Sequence, residues 1–314
     1  MTIRLDDTTA GAVQSAIQRE RQRLGATATG MVLTLLIVAD EDSQADAMAT
    51  AVASAREHPM RILGLVPRPG RSGTPARLDA EISVGGDEGP GEVALLRLRG
   101  PLAKHTDSVV VPLLLPDTPV VAWWPAAAPA VPASDPIGAL ATRRITDAAA
   151  SGRPGAALGV RRLGYRPGDT DLAWTRLTQW RTLLAAALDQ PYDPILSAEV
   201  SAQRSNPSAT LLAAWLQRSL GVPVRAVTSR GPGVTGVTLQ TERGVIDIAR
   251  PDGRLATIAR PGWTARDIAL PRRVRQELLS EELRRLDPDE VYGETLDSLT
   301  ELGADEPATT GASG

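Results

Sequence analysis

The 314-residue chain contains no cysteine, no phenylalanine, two histidines and a single lysine, Lys104. Without cysteine it can form no disulfide, thiolate nucleophile, cysteine-ligated metal site or thiol redox switch. The two histidines, His58 and His105, lie in separate segments and cannot supply the three or four converging ligands of a zinc site, so each reads as a cap or loop hydrogen-bonding group. No apolar run reaches the eighteen residues of a membrane span, and no basic leader precedes an apolar stretch; a cytoplasmic protein without a membrane partner is expected. Nor is there a block of positive charge. Thirty-four Lys+Arg against thirty-seven Asp+Glu give a net charge of −3 spread along the chain, which argues against nucleic acid as a partner. The near-absence of lysine, beside richness in Ala, Gly and Pro, resembles the codon bias of a GC-rich genome, so arginine abundance alone says little about anion binding.

What is present reads as two domains. Ala10, Val13, Ile17 and Leu24 form one helical stripe after Asp6 and Asp7. "MVLTLLIVAD" (31–40) is a continuous apolar run of the kind buried in a parallel sheet, followed by a helix over 41–56 and a strand over 60–67, a βαβ unit. Further strands are expected at 78–84, 92–98, 108–115 and 120–124. The first domain, residues 1–155, is therefore expected to be α/β, a mostly parallel sheet of roughly five or six strands with covering helices. An Ala/Pro/Gly-rich stretch over 128–168 marks its end. The second domain, 156–302, is expected to be α+β. It opens with one helix over 169–189, capped by Asp169 or Asp171, and continues with a helix started by Asn206-Pro207 and stopped by Gly221. Antiparallel strands follow over 223–260. A last helix turns Val274, Leu278, Leu279, Leu283 and Leu286 inward and pairs Glu281 with Arg285. The tail over 303–314 is too small and polar to pack and is expected to be disordered.

Cofactor motifs are missing where they are needed. The turn after the first long strand is Asp40-Glu41-Asp42-Ser43, three carboxylates where a dinucleotide requires close glycine backbone. The glycine-rich stretch "VGGDEGPGE" (84–92) is acidic, and Lys104 is followed by His105, so no Walker loop exists. No GxSxG elbow is present. No catalytic set, cofactor site or metal site is assembled. The arginine pairs 143–144, 161–162, 272–273 and 284–285 read as solvated faces or salt-bridge partners, since an anion site requires several of them to converge.

The segments "HPMRILGLV" (58–66), "VVVPLLLPDTPVVAWWP" (109–125), "DTDLAWTRLTQWRTLLAAALD" (169–189), "SNPSATLLAAWL" (205–216) and "LLSEELRRLDPDEVYGETL" (278–296) together resemble the glucose-6-phosphate dehydrogenase assembly protein family. The resemblance runs from about residue 31 to 296. It implies a non-catalytic accessory protein whose partner is glucose-6-phosphate dehydrogenase, acting at the NADPH-forming entry to the oxidative pentose phosphate pathway. Some relatives are linked to thioredoxin control through cysteines, which this chain lacks. The competing expectation is an α/β sensor or enzyme that takes a sugar phosphate or nucleotide at the C-terminal ends of its strands.

The candidate partner contacts are tryptophans. Trp123 and Trp124 close an apolar run, and successive residues of a strand point to opposite faces, so one sheet surface cannot use both. Each sits under a covering helix or, at the strand end, reaches a partner as a hot spot. Trp263, in the turn "RPGWTARD", is expected to be exposed.

Overall fold

The structure is a computed structural model that describes residues 2–24, 30–85, 91–189 and 191–299; the expected tail over 303–314 lies outside the described residues. In chain order the elements are β1 (Thr2–Leu5), α1 (Ala10–Arg23), β2 (Leu33–Val38), α2 (Gln44–Ser54), β3 (Met60–Arg68), β4 (Arg77–Val84) and β5 (Glu92–Arg99). Then come α3 (Thr106–Val110), β6 (Val120–Trp123), β7 (Arg143–Thr146), α4 (Pro154–Gly164), β8 (Asp169–Asp171), α5 (Leu172–Thr175) and α6 (Thr178–Leu188). The remainder is β9 (Ile195–Ala202), α7 (Pro207–Leu220), β10 (Val224–Thr228), β11 (Val234–Thr241), β12 (Gly244–Ala249), β13 (Leu255–Ala259), β14 (Arg266–Ala269), α8 (Arg275–Arg284) and α9 (Glu290–Asp297).

Two compact units result. The first comprises Met1–Gly152, Gly164–Thr175 and Arg273–Asp289; the second comprises Arg153–Leu163, Arg176–Arg272 and Glu290–Gly314. The first holds an eight-stranded sheet in the order β1-β4-β5-β3-β2-β6-β7-β8. Its six strands from β5 to β8 are parallel; at one edge β4 runs antiparallel to β5, and β1 antiparallel to β4. Renumbered among themselves, the parallel strands follow the order 3-2-1-4-5-6 of a doubly wound sheet. The sheet is thus an α/β one, larger than the five or six strands expected.

Alternation divides the core between the two faces of this sheet. Leu36, Leu63, Leu96 and Trp124 pack with Val13 and Ile17 of α1 on one side. Leu35, Ile37, Ile62 and Trp123 pack with Ala47 of α2, Leu172 of α5 and Leu279 of α8 on the other. Both indoles are buried, at 0% and 2% exposure, and they lie on opposite faces as a strand requires. Gly138 lies under Trp124: a Cβ there would stand 3.2 Å from the indole and 1.8 Å from the Pro132 carbonyl oxygen.

Two expected elements differ. Residues 108–115 are not a strand: Thr106–Val110 is helical and Val111–Leu113 a 3-10 turn with Pro at its start. Pro112 has no N–H to give a ladder, which outweighs the β-branched run before it. The helix expected over 169–189 is broken, because Asp169–Asp171 pair with β7 as an edge strand before α5 and α6 begin. The Ala/Pro/Gly-rich stretch itself contains β7 and α4.

The second unit is built on a six-stranded sheet, β10-β9-β11-β12-β13-β14. β9 and β10 are parallel, joined through α7, and the other pairs are antiparallel. Asn206 Oδ1 caps α7 by accepting the Ala209 N–H at 3.2 Å, and Gly221 ends the helix at φ +66°, as the sequence signals require. Trp180 of α6 lies buried beneath the Arg250 guanidinium, 5.0 Å from its ring centroid.

Candidate functional site

In the first unit the crevice where a doubly wound sheet holds a dinucleotide lies at the C-terminal ends of β2 and β6, where the strand order reverses. Val38, Ala39, Asp40, Ser43, Pro67 and Ala126 help line a space of about 160 Å³ there, well under the roughly 300–1,000 Å³ of ordinary ligand pockets. Asp40 Oδ1 accepts the Ser43 N–H at 2.8 Å and the Ser43 hydroxyl, and these bonds hold its carboxyl below the usual carboxylate range. Glu41 beside it pairs with Arg68. The start of α2, which elsewhere in such folds receives a pyrophosphate, is already occupied by the chain's own carboxylate.

Several other ionisable groups of this unit, among the described residues, are used internally. Arg143 pairs with Glu282, Arg144 with Asp169, and Arg61 with Glu92, all three pairs buried. His58 Nε2 donates to the Ser280 carbonyl at 3.1 Å. Asp171, fully buried, accepts from the amides of Ala148 and Ala173 and from the Thr146 hydroxyl; burial first, and the charge of Asp147 second, push its carboxyl up to about 6.

The second unit presents a different surface. Arg260 to Trp263 form a β-turn, with the Trp263 N–H donating to the Arg260 carbonyl at 3.2 Å, Pro261 at its second position and Gly262 at its third with φ +76°. This is the type II geometry that Pro-Gly specifies. The turn carries Trp263 outward, 56% exposed, with the Arg260 guanidinium 5.7 Å from its ring centroid. Such a stack contributes about 0.5–1 kcal/mol at an exposed site and restrains the ring. Facing the turn are Tyr192 and Asp193, before β9, and Arg243, in the two-residue loop between β11 and β12. Arg243 Nε donates to Asp193 Oδ1 at 2.9 Å. Together these residues enclose an open groove of about 270 Å³. Gly244 permits the approach of the two turns, since a Cβ there would meet the Pro261 ring at 2.6 Å.

Of the three expected tryptophans, the structure therefore sets Trp263 in an exposed groove and Trp123 and Trp124 in the core. A Pro-Gly turn is legible in sequence. Tyr192, Asp193 and Arg243 are not, because they reach the groove from loops whose positions depend on strand pairing.

Comparison with known proteins yields two family models in tandem. Residues 51–163 match one described as the glucose-6-phosphate dehydrogenase subunit N-terminal domain, and residues 167–296 one described as its C-terminal domain. No curated protein matches the chain in sequence. Similar solved structures include a 3-ketoreductase from Actinomadura kijaniata in complex with NADP and TDP-benzene, at 10% identity and TM-score 0.44, covering 87% of this chain and 96% of that one. A biliverdin reductase from Synechocystis sp. PCC 6803, in complex with biliverdin and NADP+, aligns at 11% identity and TM-score 0.43 over 86% and 98%.

Proposed function

The chain belongs to the glucose-6-phosphate dehydrogenase assembly protein family, and on that premise we propose that it is a non-catalytic accessory protein that binds glucose-6-phosphate dehydrogenase and promotes its oligomeric assembly and activity. The observation that carries this reading is the succession of both family domains along residues 51–296. The role requires no bond chemistry from this chain and assigns it no catalytic residue, cofactor or metal. An accessory protein that binds the active oligomer more tightly than the inactive state shifts the population by that difference in affinity, and about 2.7 kcal/mol suffices for a hundredfold change. We assign the docking contact to the groove of Trp263, Arg260 and Tyr192, because exposed Trp, Tyr and Arg around a concave floor are the residues that dominate binding energy at protein interfaces. The working compartment is the cytoplasm, where the enzyme's NADPH-forming reaction feeds the pentose phosphate pathway.

The test is a titration of this protein into purified glucose-6-phosphate dehydrogenase from the same source, with NADP reduction and light-scattering mass followed together. A saturable rise in rate with a co-eluting complex is the expected result. Absence of both, with both proteins folded, overturns the reading and returns weight to a sugar-phosphate or nucleotide sensor.

A further inference from the structure

A second cluster of donors in the second unit lies beside Gly233, whose φ is +69°. A Cβ built on this residue would lie 3.7 Å from Arg272 Nε, 3.9 Å from Arg250 Nη2 and 4.0 Å from Asn206 Nδ2, and nothing beyond its own chain neighbours stands closer. Nitrogen donors from three separate segments thus lie within 4.0 Å of the position a side chain would take, and the glycine leaves that side of the backbone open to a close ligand. Arg250 is 5% exposed. Its Nη1 donates to the Leu270 carbonyl at 3.0 Å and its Nη2 to the Val234 carbonyl at 2.7 Å, while its Nε, although buried, has no hydrogen-bond partner among the described residues. Neither Arg250 nor Arg272 forms an ion pair with another described residue. Asp252, whose charge favours the Arg250 cation, commits Oδ1 to the amides of Arg254 and Leu255. Burial, and then the like charge of Arg272, bring Arg250 down to about 10. Asn206 uses Oδ1 to cap α7 and leaves its amide nitrogen toward the same point, so the positive end of a fourteen-residue helix adds its field.

We propose that Arg250, Arg272 and Asn206 form an oxyanion site that takes a phosphate group, free or as the terminus of a phosphate monoester. The donors come from three separate segments, which suits the several oxygens of a tetrahedral anion better than a planar carboxylate held in one guanidinium fork. An anion beside Gly233 offers acceptors to Arg272 Nε and Asn206 Nδ2 and relieves the mutual repulsion of the Arg250 and Arg272 charges. This site is independent of the docking role assigned to the Trp263 groove.

The full-length chain is titrated calorimetrically with inorganic phosphate and with glycerol phosphate, against sodium chloride at matched ionic strength. Two variants accompany it. Asn206→Asp retains an oxygen cap for α7 and replaces the free amide donor with negative charge; Arg272→Gln removes an exposed cation. Saturable phosphate binding by the native chain, about tenfold weaker or lost in both variants while melting in chloride is not lowered, is the expected outcome. Should one variant melt early, the other decides. Tighter binding of the ester identifies a phosphorylated ligand, and tighter binding of the ion identifies free phosphate. No saturable binding at matched ionic strength, or equal binding by native chain and variants, overturns the proposal.

Discussion

Asp171 shows how a single buried carboxyl makes folding depend on pH. Its folded pKa, pushed up to about 6 by burial and by Asp147, stands above the ordinary value. Below about pH 4 the group is protonated in both folded and unfolded chains and costs nothing. As pH rises through 6 the folded state must hold a buried charge, a penalty of up to about 3 kcal/mol. Asp171→Asn keeps an oxygen for the amides of Ala148 and Ala173 and offers its nitrogen to the Thr146 hydroxyl. Denaturant melts should find the variant more stable than the native chain at pH 8, with the gap closing towards pH 4; an unchanging gap refutes the assignment. Gly138 gives a steric counterpart, because Gly138→Ala sets a methyl 1.8 Å from the Pro132 carbonyl oxygen. A loss of about 1–3 kcal/mol is expected from that backbone contact. Neither effect is legible in sequence: Asp171 reads there as a helix cap, and Gly138 as one glycine in a Pro-rich stretch. Asp171 acquires its role beside β7, which the Ala/Pro/Gly composition conceals, and Gly138 acquires its own from packing against Pro132 and Trp124.

At the scale of elements, α8 is held by more than its apolar stripe. Leu278, Leu279 and Leu283 are buried as the helical spacing requires, whereas Val274, expected inside, is the N-cap and 60% exposed. Glu281 pairs with Arg273, not with Arg285. The same buried face contributes Glu282, which accepts from Arg143 of β7 and from the Thr175 hydroxyl at 2.6 Å. Glu282→Gln leaves the Arg143 guanidinium buried without a counter-charge, and a loss of about 3–5 kcal/mol is expected in urea unfolding. The double change Arg143→Met with Glu282→Met should recover most of it, and failure to recover means that packing rather than charge holds the helix. Periodicity reported the long elements well, β2, β3, α2, α7 and α8 among them, because burial repeats along each. It missed β1, β8 and β9, which are edge strands or only half buried, and it could not report which sheet α8 covers, since an apolar stripe is indifferent to the identity of its partner. The same limit hid the phosphate cradle. Arg272 and Arg273 read as one pair, yet one guanidinium reaches Gly233 while the other reaches Glu281.

For the whole molecule the sequence carried the family better than the surfaces. Ordered blocks carried the family, but the groove at Trp263 exists only once β9, the β11–β12 hairpin and the Pro-Gly turn are folded. Trp263→Ala should weaken binding to glucose-6-phosphate dehydrogenase by about 2 kcal/mol or more, the loss typical of a hot spot, with melting unchanged within about 1 °C. Unchanged binding removes the groove from the interface. The return of Arg273–Asp289 to the first unit also governs how the protein emerges from the ribosome. Thr175 is translated 107 residues before the Glu282 that receives its hydroxyl, an interval of roughly 5–20 s at ordinary elongation rates. During that wait Arg143 has no carboxylate, and the sheet face bearing Leu35 and Trp123 has no α8 to cover it. Synthesis of the first unit therefore begins first and ends nearly last, and a nascent chain stalled within the second unit exposes an unfinished first one to chaperones.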